Sequence, residues 1–194
     1  MLTKEELIEF EKEVSILFEN KEIMAPIHLS GGNEEELINI FKRINKEDWV
    51  FCTHRNHYHA LLKGFDKKQL LDIILLGESM HIYSNKLNFF TSSIVGGVLP
   101  IALGVSISIK RKKENKKVYV FIGDMASEMG IFHECKKYAC RNDLPIEFII
   151  EDNGLAVDTP TQETWGTCKD NNKVYRYSYK RVWPHAGCGK WIRF

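Results

Sequence analysis

A chain of 194 residues with 44% apolar composition can bury one hydrophobic core, so the expectation is a single domain over residues 1–194 with residues 1–20 as a helical arm. Its 27 basic and 26 acidic side chains leave a net charge of +1, which offers no field for nucleic acid or an anionic membrane, although the last third is locally basic around Lys180, Arg181, Lys190 and Arg193. Cys52, Cys135, Cys140, Cys168 and Cys188 are odd in number and include no C-x-x-C pair, so neither a disulfide framework nor a zinc site is indicated and a reducing cytoplasm is the expected setting.

The chain starts with Thr3-Lys4-Glu5-Glu6, a helix-capping pattern where a secretory signal needs a basic flank and an apolar run. From Thr3 to about Asn20, Leu7, Ile8, Phe10, Val14, Ile16, Leu17 and Phe18 follow a helical spacing, the pattern of an amphipathic arm docked on a partner. The loop Ile23 to Gly32 holds one histidine, His28, which by itself reads more readily as structural than as functional. Asn33 is expected to cap a helix from Glu34 to Ile44, with Leu37, Ile38 and Phe41 on its buried side.

Trp49 to Thr53 reads as a short strand, and at its carboxyl end stand His54, Arg55, Asn56, His57, Tyr58 and His59. Such a cluster is either a solvated loop or an anion site, because arginine offers phosphate a planar fork of donors and histidine can donate beside it. Two helices are expected over about His57 to Lys63 and Lys67 to Leu76, the second capped by Asp66, followed by a loop with a single histidine, His81. From Thr91 to Ile109 the residues are small and apolar, with Ser92-Ser93 as a natural cap for a buried helix. Interrupted by Gly96, Gly97, Pro100 and Gly104, this stretch is too short to span a bilayer.

Val118 to Ile122 and Ile146 to Ile150 read as buried parallel strands joined by a helix over about Glu128 to Arg141, with Ile131, Phe132, Cys135 and Tyr138 toward the sheet. Each strand ends in polar residues, Gly123-Asp124 after the first and Glu151-Asp152-Asn153-Gly154 after the second. In an open parallel sheet ligands sit at the carboxyl ends of strands, and these ends carry oxygen donors suited to a hard cation. Asp124 supplies a carboxylate, Asn153 an amide oxygen and Leu155 a backbone carbonyl, and the 29 positions from Asp124 to Asn153 are what one helix and one strand need to return to the same sheet edge. The pattern points to magnesium holding a diphosphate. After a polar, irregular stretch from Thr159 to Lys173, Tyr175, Tyr177 and Tyr179 alternate with polar residues as in a strand exposed on one face, before a loop containing His185.

These motifs resemble the alpha subunit of the thiamine-diphosphate-dependent 2-oxoacid dehydrogenases of pyruvate and acetoin dehydrogenase type. The family's G-D-G and N-N stand here as Gly123-Asp124-Met125 and Asp152-Asn153, its I-H-L as Ile27-His28-Leu29, its Y-R as His54-Arg55, its R-x-H as Arg55 to His57, its S-M-H-x-Y as Ser79 to Tyr83 and its I-V-G-x-x-x-P as Ile94 to Pro100. The resemblance covers about Ile8 to Pro160 and implies an α/β thiamine-diphosphate-binding fold, a mostly parallel sheet flanked by helices. It implies that Asp124, Asn153 and the Leu155 carbonyl bind magnesium, that His54, Arg55, Gly123 and the backbone near Met125 and Ala126 hold the diphosphate, and that Ser93 and Val95 meet the aminopyrimidine. His28, His81 and His185 would face the reacting centre.

Departures from the family are Met125 at the third motif glycine, His54 at its tyrosine, and a short linker where the family has a long helical region before the late strand. The expected function is an alpha-type subunit, inactive alone, in a heterotetrameric oxidoreductase that decarboxylates a 2-oxo acid. A beta-type subunit would supply the glutamate that activates the cofactor, and a lipoyl carrier protein would be one acceptor. A transketolase-like or acetolactate-like carboligase subunit, and a non-catalytic cofactor-binding scaffold, stay open as alternatives.

Overall fold

The structure, a computed structural model, describes residues 2–166 and 173–189. In chain order its elements are α1 (Lys4–Glu19), α2 (Glu34–Phe41), β1 (Trp49–Cys52), α3 (His57–Lys63), α4 (Lys67–Leu75), β2 (Tyr83–Ser84), β3 (Phe89–Thr91), α5 (Val98–Lys112), β4 (Val118–Gly123), a 3-10 turn (Met125–Glu128), α6 (Gly130–Arg141), β5 (Ile146–Asp152), β6 (Leu155–Ala156), β7 (Thr159–Pro160), α7 (Thr161–Trp165) and β8 (Val174–Ser178). Where one domain was expected, the described chain divides into two compact units. The first holds the residues up to Lys46, His54–Thr91 and the end of the chain from Lys180; the second holds Glu47–Thr53 and Ser92–Tyr179. Cys168, Lys190 and Arg193 lie outside the described residues.

In the first unit, α1 opens with a reciprocal cap: the Thr3 hydroxyl accepts from the Glu6 N–H and the Glu6 carboxylate from the Thr3 N–H. Leu7, Phe10, Val14 and Phe18, at helical spacing, are almost wholly buried, each such side chain contributing about 1.5–3 kcal/mol. The helix expected as an arm therefore packs inside its own unit, against α2 and α3. Asn33 precedes α2 as expected but makes no side-chain capping bond, and α2 stops at Phe41 because the N–H groups of Arg43 and Ile44 reach back three residues, tightening the chain out of the helix. Asp66 caps α4 through Lys68 and Gln69, and β2 and β3 form an antiparallel hairpin.

The second unit carries a parallel sheet in the order β1-β4-β5-β8. β4 is a near-continuous run of buried apolar residues from Val118 to Ile122, as a strand covered on both faces requires. Helix α6 returns the chain from β4 to β5 in a register that sets Gly123 opposite Glu151, so Asp124 and Asp152-Asn153 leave the sheet at the same edge. Two expectations change here. Helix α5 starts at Val98, with Gly97 and not Ser92-Ser93 at its cap, because Gly96 takes a left-handed φ of +77° that breaks any helix passing through it. On α6 the buried stripe is Phe132, Cys135 and Ala139, while Tyr138 is exposed. The stretch expected to be irregular holds β7, paired with β6, and the short α7.

Candidate active site

In the second unit Asp124 is the first residue past β4, and its side chain is 1% exposed. Its Oδ2 has no hydrogen-bond partner. Burial pushes its carboxyl pKa up, the neighbouring Asp152 adds to this, and the Thr161 hydroxyl and the Arg176 guanidinium oppose it. A buried carboxylate oxygen without a donor is costly, and a cation relieves it. The Ser127 hydroxyl donates to the Asp124 carbonyl (2.6 Å), while Arg176 donates to Ser127 Oγ (3.0 Å) and to Asp152 Oδ2 (2.8 Å), so one guanidinium ties the ends of β4 and β5 together.

Past β5, Asn153 Oδ1 accepts from the Leu155 N–H (3.1 Å), and Asn153 Nδ2 donates to the Tyr179 hydroxyl (3.3 Å). The Thr161 N–H donates to the Gly154 carbonyl, which makes Leu155, opposite Pro160, the non-bonded pair of the β6–β7 ladder. A residue in such a pair turns its own N–H and C=O away from the neighbouring strand. The Leu155 carbonyl accordingly points to the side on which its N–H meets Asn153. One carboxylate, one amide oxygen and one carbonyl are hard oxygen donors of the type magnesium accepts, with phosphate and water completing its shell. Among the described residues no group of three His, Cys, Asp or Glu side chains is arranged to hold a metal without such help. Met125 and Ala126 open the 3-10 turn, whose ladder begins at Ser127 with its bond to the Asp124 carbonyl. Ser93 and Val95 lie in the loop before α5, Val95 mostly exposed, and a β-carbon at Gly123 would meet nothing within 4 Å.

In the first unit, three imidazoles converge. The ring centroids of His28 and His54 are 4.6 Å apart, those of His28 and His185 5.1 Å, and those of His54 and His185 5.7 Å. Arg55 donates to the Leu29 carbonyl (2.6 Å) and the His185 carbonyl (2.9 Å), fixing its guanidinium beside the rings. Burial above all, then the neighbouring His54 and Arg55, lowers His28 to about 2; burial, then Arg55, lowers His54 to about 4. Both rings are neutral at pH 7, beside the positive charge of Arg55. His28 Nδ1 is buried without a hydrogen-bond partner. His81 differs in exposure, its side chain 53% exposed with Nδ1 3.6 Å from Glu78, on a loop held by Thr91, which donates to the Met80 carbonyl and accepts from the Ile82 N–H.

Sequence reasoning named Ser79 only as the first position of the S-M-H-x-Y match and did not single out Glu11 or Arg176. The one signal for Glu11 was a carboxylate set between Phe10 and Val14 on the apolar stripe of α1; Arg176 carried none, since only the fold brings it to Asp152. No helix among the described residues is long and apolar enough to cross a membrane.

The family described as dehydrogenase E1 component matches residues 3–174. The alpha subunit of acetoin:2,6-dichlorophenolindophenol oxidoreductase from Cupriavidus necator is 30% identical over 173 residues, covering 84% of this chain and 51% of that protein. Its counterpart from Bacillus subtilis is 31% identical over 161 residues, covering 78% and 48%. The chloroplastic pyruvate dehydrogenase E1 component subunit alpha-3 of Arabidopsis thaliana is 28% identical over 183 residues, covering 81% and 43%. The chain thus spans about half the length of the curated relatives it matches. With that match running from the start of α1 to the start of β8, the chain belongs to the dehydrogenase E1 component family and is similar to its alpha subunits.

Proposed function

We propose that this chain supplies the magnesium- and diphosphate-binding share of a thiamine-diphosphate-dependent enzyme that decarboxylates a 2-oxo acid, as an alpha-type subunit working with a beta-type subunit. The observation that carries the reading is Asp124, a buried carboxylate with an unpartnered oxygen at the strand edge where Asn153 and the Leu155 carbonyl also emerge. When bound, thiamine diphosphate supplies a carbanion that adds to a keto carbon and takes up the electrons left as carbon dioxide departs. Asp124, Asn153 and Leu155 would hold the magnesium. Arg55 contributes fixed positive charge for the diphosphate, joined by His54 and by the amides of Met125 and Ala126, and the backbone of Ser93 and Val95 serves the aminopyrimidine. Neutral His28 donates an N–H to developing negative charge and holds no imidazolium, whereas His81 and His185 are the groups assigned to pass protons.

The beta-type subunit supplies the activating glutamate, and the setting is cytoplasmic. The relatives' names, acetoin oxidoreductase and pyruvate dehydrogenase, favour an oxidative enzyme with a lipoyl or other electron-accepting partner over a carboligase. Titration calorimetry of the chain with thiamine diphosphate and magnesium, with the beta-type partner present, tests the reading. Wild type is expected to bind in a magnesium-dependent way, and Asp124→Asn to weaken binding at least about 100-fold, about 2.7 kcal/mol. Equal affinity in the two proteins removes the metal assignment; no binding by wild type removes the cofactor reading itself.

A further inference from the structure

We propose that Glu11 is a positioning residue, a single buried carboxylate that sets three histidine-bearing loops of its unit in place. The proposal rests on the functional reading above for what those histidines do. Glu11 lies on the buried face of α1 and is wholly inaccessible. Both of its oxygens accept from the Ser30 N–H, at 2.8 and 2.9 Å, two residues after His28. Its Oε1 stands 3.7 Å from Nδ1 of His57, two residues after Arg55. The far side of that ring, Nε2, is 2.8 Å from the hydroxyl of Ser79, two residues before His81.

Asn56 closes the set, its amide donating to the Ser79 carbonyl (3.1 Å) and the His54 carbonyl (3.4 Å). His57 and Ser79 are themselves fully buried, so this line of carboxylate, imidazole and hydroxyl reaches no substrate. It acts through the loops it joins. A carboxylate in the apolar stripe of a helix costs free energy unless its oxygens are satisfied, and here the Ser30 N–H of the His28 segment donates to both, with His57 Nδ1 packed 3.7 Å away.

The test uses the full chain, labelled with ¹⁵N on histidine, and the complex with its beta-type partner. Glu11→Gln keeps one oxygen for the Ser30 N–H and removes the charge. It is expected to unfold cooperatively like wild type while shifting the ring resonances of His28, His54 and His57, and to lower kcat at least about tenfold with KM little changed. Ser79→Ala is expected to move the His57 and His81 rings and leave His28 in place. Unmoved His28 and His57 rings in Glu11→Gln overturn the proposal, as does a kcat that returns to the wild-type value when assayed well below the unfolding midpoint. Should Glu11→Gln fail to fold, Ser79→Ala decides: unmoved His57 and His81 rings overturn the proposal. If the wild-type complex turns over no 2-oxo acid, the functional reading fails and the ring spectra alone judge the hold of Glu11 on the loops.

Discussion

The two units solve opposite electrostatic problems. In the first, the buried Arg55 guanidinium sits beside His28 and His54, whose protonation burial suppresses. In the second, a buried carboxylate keeps an oxygen without a partner, and burial makes its ionisation costly. The first is relieved by an anion and the second by a cation. Substitutions in the two are therefore expected to move stability and binding in different ways.

The sharpest way to break that contrast is Asp124→Asn. Beside the loss of binding of at least about 100-fold argued above, removing the charge is expected to raise the thermal midpoint of the cofactor-free chain, by an amount equivalent to about 0.5–2 kcal/mol. Loss of binding together with gain of stability is the mark of a residue kept for its ligand. A fall in both means that Asp124 is a structural carboxylate, and the comparison between the units collapses.

What was legible beforehand follows the same division. The sheet of the second unit was readable because its strands are uninterrupted apolar runs and their polar ends fall at fixed sequence separation; Asp124 and Asn153 needed only the return of one helix and one strand. The start of α5 was not, since the serine pair looks like a cap and only the conformation of Gly96 shows that the chain turns first. In the first unit His28, His54 and His185 lie far apart in sequence, and residue pattern alone left His28 a loop histidine and His54 part of an ambiguous cluster; the fold brings their rings together. Glu11 stayed hidden because a single charge in an amphipathic helix is ordinarily assigned to the solvated face.

A second, smaller effect separates the clusters by pH. With an ordinary histidine near 6.5, His54 at about 4 and His28 at about 2, the native chain binds fewer protons than the unfolded chain below pH 6.5. Stability contributed by the neutral rings is fully present above that value and is lost as pH falls, at up to about 1.4 kcal/mol per pH unit for each ring. Asp124 runs the other way: its raised carboxyl favours the native state at low pH and loses that advantage as pH climbs through its folded value. Urea midpoints measured at pH 7, 6 and 5 are expected to fall, with His54→Gln reducing the slope. A flat wild-type profile over this range would show that the imidazole cluster is not desolvated.

The smallest effect is expected from Arg176→Lys, and it asks what organises the second cluster. Arg176 does two things that pull against each other. Its charge beside Asp124 competes with a cation, whereas its two-armed grip on Ser127 and Asp152 holds the ends of β4 and β5 in the arrangement a cation needs. Lysine keeps the charge and loses the fork, so the substitution isolates the grip. The pair with Asp152 is partly exposed and is worth no more than about 1 kcal/mol, so magnesium-dependent cofactor affinity is expected to fall by about three- to fivefold. Arg176→Gln, which loses charge and fork together, is expected to fall less than Arg176→Lys, because relief of the competition with magnesium offsets part of the loosened geometry. If glutamine weakens binding more than lysine, the guanidinium's charge is working with the ligand's phosphates, and the second unit contributes attraction for the anion as well as for the metal.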